Sequence, residues 1–208
     1  MGNKRGLPLI SMGLLLIAAA LFLTGYNLYS EQRAERSASR AADQLEALLP
    51  AEVPTPPAEE IVPSDEVEIP DYILNPNMEM PVQSIDVQDY IGVLKIPALN
   101  LELPVISEWS YPRLKIAPCR YKGSAYSGNF IIAAHNYASH FGKLKNLSAG
   151  DEITFTDTDG NIFRYEVAVL ETLAPTAIEE MESGGWDLTL FTCTLGGSYR
   201  VTVRCERV

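Results

Sequence analysis

Histidine and cysteine are scarce in these 208 residues: His135 and His140 are the only histidines, and Cys119, Cys193 and Cys205 the only cysteines. No C-x-x-C pair occurs, so nothing in the spacing points to a zinc site of the Cys/His kind. An odd cysteine count in an exported chain leaves at least one thiol unpaired within the monomer, and that thiol needs a reason. Basic residues are missing from a long stretch. Residues 41–94 hold twelve Asp and Glu and no Lys or Arg, and against a net charge of −11 the remainder sums to only +1. A nucleic-acid binder needs clustered Lys and Arg to displace counterions from phosphates, and neither part offers such a patch. No internal repeat is visible. With 47% apolar and 21% charged residues, collagen-like, wholly disordered and disulfide-framework classes are excluded, and one globular domain with a smaller attachment fits.

The attachment is N-terminal. No charged residue lies between Arg5 and Glu31, and Leu7 to Tyr26 is an almost unbroken apolar run. About 20 such residues at 1.5 Å each cross a hydrocarbon core. Ala18-Ala19-Ala20 is followed by more apolar residues and not by a polar mature start, which favours an uncleaved anchor over a cleaved signal. The reading is residues 1–6 cytoplasmic, 7–28 spanning the membrane once, and the bulk of the chain extracytoplasmic. Residues 30–49 are rich in Ala, Glu, Arg and Leu and continue as a helix. Pro50 to Pro81 holds eight of the fourteen prolines and no basic residue. Such a segment cannot bury enough apolar surface to fold alone. Residues 29–84 as a whole are therefore expected to be a linker that holds the next domain away from the membrane.

From residue 85 to 208 the pattern is one of short alternating strands. Leu99, Leu101, Leu103 and Val105 alternate with Asn100, Glu102 and Pro104, as do Phe163, Tyr165, Val167 and Val169 with Arg164, Glu166 and Ala168. Asp157-Thr158-Asp159-Gly160-Asn161 predicts a hairpin turn. Helical periodicity is confined to short pieces near Phe141–Leu147 and Thr176–Met181. The fold class is all-β, a closed barrel or a sandwich with short helices.

Two predicted strands end in reactive residues. Gly128 to Ala134 runs into His135-Asn136, and Trp186 to Thr192 runs into Cys193-Thr194. A thiolate nucleophile needs a base or a cationic neighbour, and strand ends on a rigid scaffold give access. A tight Leu195-Gly196-Gly197-Ser198 turn would fold the following strand back beside Cys193 and bring in Arg200, a permanent cation suited to a developing oxyanion. Taken singly, each residue has a plain structural reading. Together they suggest nucleophilic catalysis.

Thr189-Leu190-Phe191-Thr192-Cys193 resembles the Thr-Leu-x-Thr-Cys motif of sortases, the membrane-anchored cysteine transpeptidases of Gram-positive bacteria. The upstream strand ending in His-Asn and the order His, Cys, Arg fit as well, over roughly residues 88–208. The resemblance implies a closed eight-stranded β-barrel behind a transmembrane helix, with His135, Cys193 and Arg200 catalytic and Thr192 and Thr194 near the substrate. It further implies that Cys193 cleaves a sorting signal of the Leu-Pro-x-Thr-Gly kind on secreted proteins, with Arg200 and a backbone amide near Thr194 at the oxyanion. A cell-wall precursor or a pilin amine then takes the acyl group. Neither metal nor organic cofactor enters. Calcium activates some sortases, but Glu179-Glu180-Met181-Glu182 reads as a solvated acidic loop.

Three alternatives stay open: a pilin-polymerising enzyme, a hydrolase that releases the acyl group to water, and a noncatalytic surface module with Cys193 and Cys205 paired. Ser107 to Pro112 has the composition of a pilin-sortase lid but lies inside the domain, where an ordinary strand connection is expected.

Overall fold

A computed structural model describes residues 6–49 and 70–208; most of the Pro-rich stretch lies outside them. With no proline between Pro8 and Pro50, the apolar run and the Ala-rich segment form one helix, α1, Gly6–Leu48. From Ile10 to Tyr29 its large apolar side chains are exposed, consistent in length and apolarity with a membrane span. Its second half carries Ala34, Ala38, Ala41, Ala42 and Leu45 at helical spacing, all buried.

The strands are β1 Gln83–Ile85, β2 Gln88–Ile96, β3 Leu101–Ile106, β4 Cys119–Ser124, β5 Gly128–Ala133, β6 Glu152–Asp157, β7 Ile162–Leu173, β8 Leu188–Cys193 and β9 Arg200–Arg207. They follow the order β1-β2-β3-β4-β5-β8-β9-β7-β6, and a further pairing of β2 with β6 closes the ring. The barrel therefore has the eight strands expected, β2 to β9, with β1 a short ribbon on the first half of β2. Closure depends on Gly92 (φ 151°), where a Cβ would stand 2.1 Å from the Thr156 carbonyl oxygen on β6. Phe130, Phe155, Phe163, Tyr165, Leu188 and Leu190 fill the core. Burial of each contributes roughly 1.5–3 kcal/mol.

The predicted turn at 157–161 joins β6 to β7. Asp157, wholly buried, shapes it by accepting from the amides of Asp159 and Asn161, the Asn161 side chain and the Tyr126 hydroxyl. Leu99 does not begin a strand: it ends a 3-10 turn, Pro97–Leu99, after which Asn100 turns left-handed (φ 52°) and β3 starts at Leu101. The short helical pieces are a 3-10 turn at Leu144–Asn146 and a helix at Ile178–Glu182. The β3–β4 connection carries another at Tyr111–Leu114, capped by the Ser110 hydroxyl. In chain order the helices after α1 are α2 Asp71–Leu74, α3 Tyr111–Leu114 and α4 Ile178–Glu182.

The expected linker, 29–84, behaves differently where it is described. The alanine stripe of α1 lies over β2 and β3, and Leu45 joins a cluster with Tyr90, Val93 and Ile106. In α2, the Tyr72 ring stacks on Tyr126 at 4.8 Å and meets Phe163 at 5.2 Å; Met80 is buried in the core. Packing therefore does not begin at residue 85. Small alanines are hard to recognise as a buried face from composition, because they also favour an exposed helix.

Candidate active site

Three neighbouring strands place the expected residues. β5 pairs parallel with β8 and reaches Ala133 opposite Phe191. The alignment continues past the last pair, since the Ala134 amide donates to the Phe191 carbonyl (3.2 Å) and the Thr192 hydroxyl to the Ala134 carbonyl (2.8 Å). His135 therefore comes level with Cys193. β8 in turn pairs antiparallel with β9, with Cys193 directly opposite Arg200. Side chains alternate along β8: Leu188, Leu190 and Thr192 are buried and point inward, while Phe191 and Cys193 are half-buried on the outer face. Directly paired residues share a face, so Arg200 stands beside Cys193, and strands about 4.8 Å apart put His135 on its other side.

Burial presses the His135 imidazole below its ordinary pKa, and the nearby Lys115 ammonium adds to the effect. The ring is held neutral, able to take a proton. Its buried Nε2 has no hydrogen-bond partner among the described residues. Arg200 commits Nη1 to the carbonyls of Gly197 (3.1 Å) and Tyr199 (3.2 Å), which leaves Nε and Nη2 for a substrate.

The hydroxyls of Thr192 and Thr194, the residues expected near the substrate, both have partners within the barrel. Thr192 is 3% exposed, and its hydroxyl ties the His-bearing strand to the Cys-bearing strand. The Thr194 hydroxyl donates to the Tyr199 carbonyl and accepts from the Tyr199 amide, and the Thr194 amide also donates to that carbonyl at 3.0 Å. Both threonines set the site's shape. The Thr194 amide, the backbone donor expected at the oxyanion, is thus already committed to the Tyr199 carbonyl.

The other thiols are buried, and burial pushes each pKa up to about 12. Cys205 pairs with Leu188, five positions along β8 from Cys193. That is roughly 16 Å of strand, beyond any disulfide, and all three cysteines are free. The paired-cysteine alternative is overturned. His140 is wholly buried beneath α1 at Ala34, its pKa lowered to about 4 chiefly by burial. The loop that carries both histidines is tight: a Cβ on Gly142, just after His140, would lie 2.5 Å from the Asn136 carbonyl oxygen.

Two features were missed. Arg204, 2% exposed, lies opposite Thr189 on the same face of β9 as Arg200. It bonds the carbonyls of Glu180 and Met181, the Thr189 hydroxyl and the Glu171 carboxylate, pinning α4 to the sheet. The i, i+4 spacing of Arg200 and Arg204 on an alternating strand was the available signal. A strip of aromatic rings, Trp109, Tyr121 and Phe191, with centroids 5.6 and 5.4 Å apart, leads along the outer face toward Cys193. Its members come from three elements. The acidic run in α4 flanks that strip, where Glu182 pairs with Lys122. Among the described residues no cluster of three or more His, Cys, Asp or Glu could hold a metal.

Residues 94–208 match the family model of the Sortase domain. The chain is 29% identical over 140 residues to sortase A of Bacillus anthracis, spanning 64% of each. Among solved structures, sortase C of Streptococcus pneumoniae superposes with a TM-score of 0.51 at 28% identity, over 57% of this chain and 68% of that one. Sortase A of Corynebacterium diphtheriae gives 0.54 at 23% identity, over 58% and 61%, a likeness of fold.

Proposed function

The chain belongs to the sortase family, and on that premise we propose that it is a membrane-anchored cysteine transpeptidase that cuts a sorting signal of the Leu-Pro-x-Thr-Gly kind. The observation that carries the reading is the register that sets His135, Cys193 and Arg200 side by side on three adjacent strands, with Cys193 the one accessible thiol of three. The Sγ proton passes to the neutral His135 as sulfur attacks the Thr–Gly carbonyl carbon. Arg200 stabilises the oxyanion. As the C–N bond breaks, His135 returns the proton to the departing glycine amine, leaving a thioester on Cys193. An amine of a cell-wall precursor then attacks, gives its proton to His135 and expels the Cys193 sulfur. No metal or organic cofactor is needed. The apolar half of α1 holds the enzyme in the membrane once, with the barrel extracytoplasmic.

The test is a sorting-peptide assay run with and without an added amine such as triglycine, with product masses read. Wild type should give the amine adduct, and Cys193→Ala should fall to background, while Cys119→Ala retains turnover per folded molecule. Free acid as the sole product in excess amine would make the enzyme a hydrolase. Turnover by Cys193→Ala would remove it from the role altogether. A pilin-lysine peptide as acceptor separates wall anchoring from pilus assembly.

A further inference from the structure

Because α1 is one helix from the apolar run to the barrel, it fixes the height of the site above the membrane, given the anchoring proposed above. Taking residue 28 as the last of the span, Glu31 stands about 5 Å further along the axis, Arg33 about 8 Å and Arg40 about 18 Å. The headgroup layer is itself about 5–8 Å deep on each side. The Glu31 carboxylate accepts from the Ala138 amide at 2.7 Å, and Ala34 lies over the loop that His135 begins. The His135 end of the barrel therefore faces the bilayer closely, against the expectation of a domain held away from it.

On that side a cleft of about 650 Å³ opens between α1, the β1–β2 turn and α3. Arg33, Arg40 and Lys115 line it with one acid, Asp86, and Tyr26 and Tyr29 close its lower edge. All three cations are exposed, and none makes an ion pair with a described residue. Helical side chains lean toward the N-terminus, so Arg33 and Arg40 lean toward the membrane. Tyrosines at the span's end match the interfacial aromatic belt.

We propose that this cleft binds the phosphate of an anionic membrane lipid, seating the barrel on the bilayer with its catalytic end at the surface. A phosphodiester headgroup fits because the cleft carries three cations against one acid, with Arg33 and the two tyrosines at its membrane end and Arg40 about 10 Å further up the helix. The consequence is that a substrate is cut within a nanometre or so of the membrane, as it emerges.

The full chain, in neutral maltoside micelles with equal phosphatidylglycerol and phosphatidylcholine, is examined by native mass spectrometry. Retention of phosphatidylglycerol should exceed phosphatidylcholine by at least about fivefold. The triple variant Arg33→Glu/Arg40→Glu/Lys115→Glu should lose that preference, and Lys143→Glu/Lys145→Glu/Arg164→Glu, of equal charge change away from the cleft, should keep it. Equal retention of both lipids by wild type, or equal loss in both triple variants, overturns the proposal. So does displacement of phosphatidylglycerol by millimolar inorganic phosphate, which would make this a free-phosphate site. Co-flotation with pure phosphatidylcholine vesicles reads the anchor separately, so a failed anchor and a failed cleft are distinguished.

Discussion

The open end of the barrel at β5, β8 and β9 and the sealed seam beneath α1 each hold a histidine, five residues apart on one loop. At the open end His135 is half-buried beside a half-buried thiol. Under α1, His140 has no exposure at all and is held neutral. The cysteines divide in the same way, Cys193 accessible, Cys119 and Cys205 enclosed with thiols too basic to ionise. Residue type therefore does not separate chemistry from architecture here. What separates them is whether the group keeps access and an uncommitted atom once the fold is complete, which the pairing register decides.

The widest gap between the two regions should appear in turnover. His135→Ala is expected to lower kcat/KM at least about 10²-fold, and Arg200→Ala about 10²–10³-fold, with Arg200→Lys recovering only part because the planar fork is lost. His140→Ala should leave turnover per folded molecule within a few-fold of wild type and lower the melting temperature instead. Continuous peptide cleavage, normalised to active thiol by titration, reads the first set, and calorimetry reads the second. Equal rate losses for His135→Ala and His140→Ala would erase the distinction.

A chain beginning at Ile85 sharpens the comparison from the side of the seam. It lacks Leu45 and Met80, both buried, and the Tyr72 ring stacked on Tyr126. Against a soluble chain beginning at Ser30, its unfolding free energy in urea should drop by upwards of about 4 kcal/mol. Equal midpoints and slopes for the two would show that residues 30–84 are the passive spacer their composition suggests.

Much of the active end was legible from sequence because its signals are local. A strand ending in His-Asn, a Thr-Leu-x-Thr-Cys run and an Arg after a Gly-Gly turn each announce themselves within ten residues, and two-residue alternation then assigns their faces. The hairpin at 157–161 was readable for the same reason. The seam was not, because alanine carries no periodic contrast against a good helix former, and Tyr72 finds Tyr126 and Phe163 only once the barrel has closed. Thr192 and Thr194 show how much the fold adds to a local signal. Their place beside the nucleophile suggested contact with substrate, whereas the β5–β8 pairing and the β8–β9 turn take up their hydroxyls. Arg204 gave little local signal because its partners come from β7 and α4 and meet it only in the folded barrel.

The smallest effect is also the one that isolates the seam without touching the site. His140 titrates at about 4 in the folded chain against about 6.5 unfolded, so protons bind the unfolded chain more tightly. Its contribution is fully present above pH 6.5, falls as the pH drops from there toward 4, and does not change further below. The integrated loss is about 3 kcal/mol, comparable to deleting one buried apolar side chain. Carboxylates titrate in the same acid range, so the decisive quantity is a difference between proteins. Urea denaturation at half-unit steps from pH 7.5 to 4 should give His140→Gln a shallower decline than wild type, with the gap opening below pH 6.5. His135→Gln should narrow the decline less, since its imidazole is only half-buried. Parallel curves for wild type and His140→Gln would mean that His140 keeps its charge in the fold, and that the loop beneath α1 opens to water as the site end does.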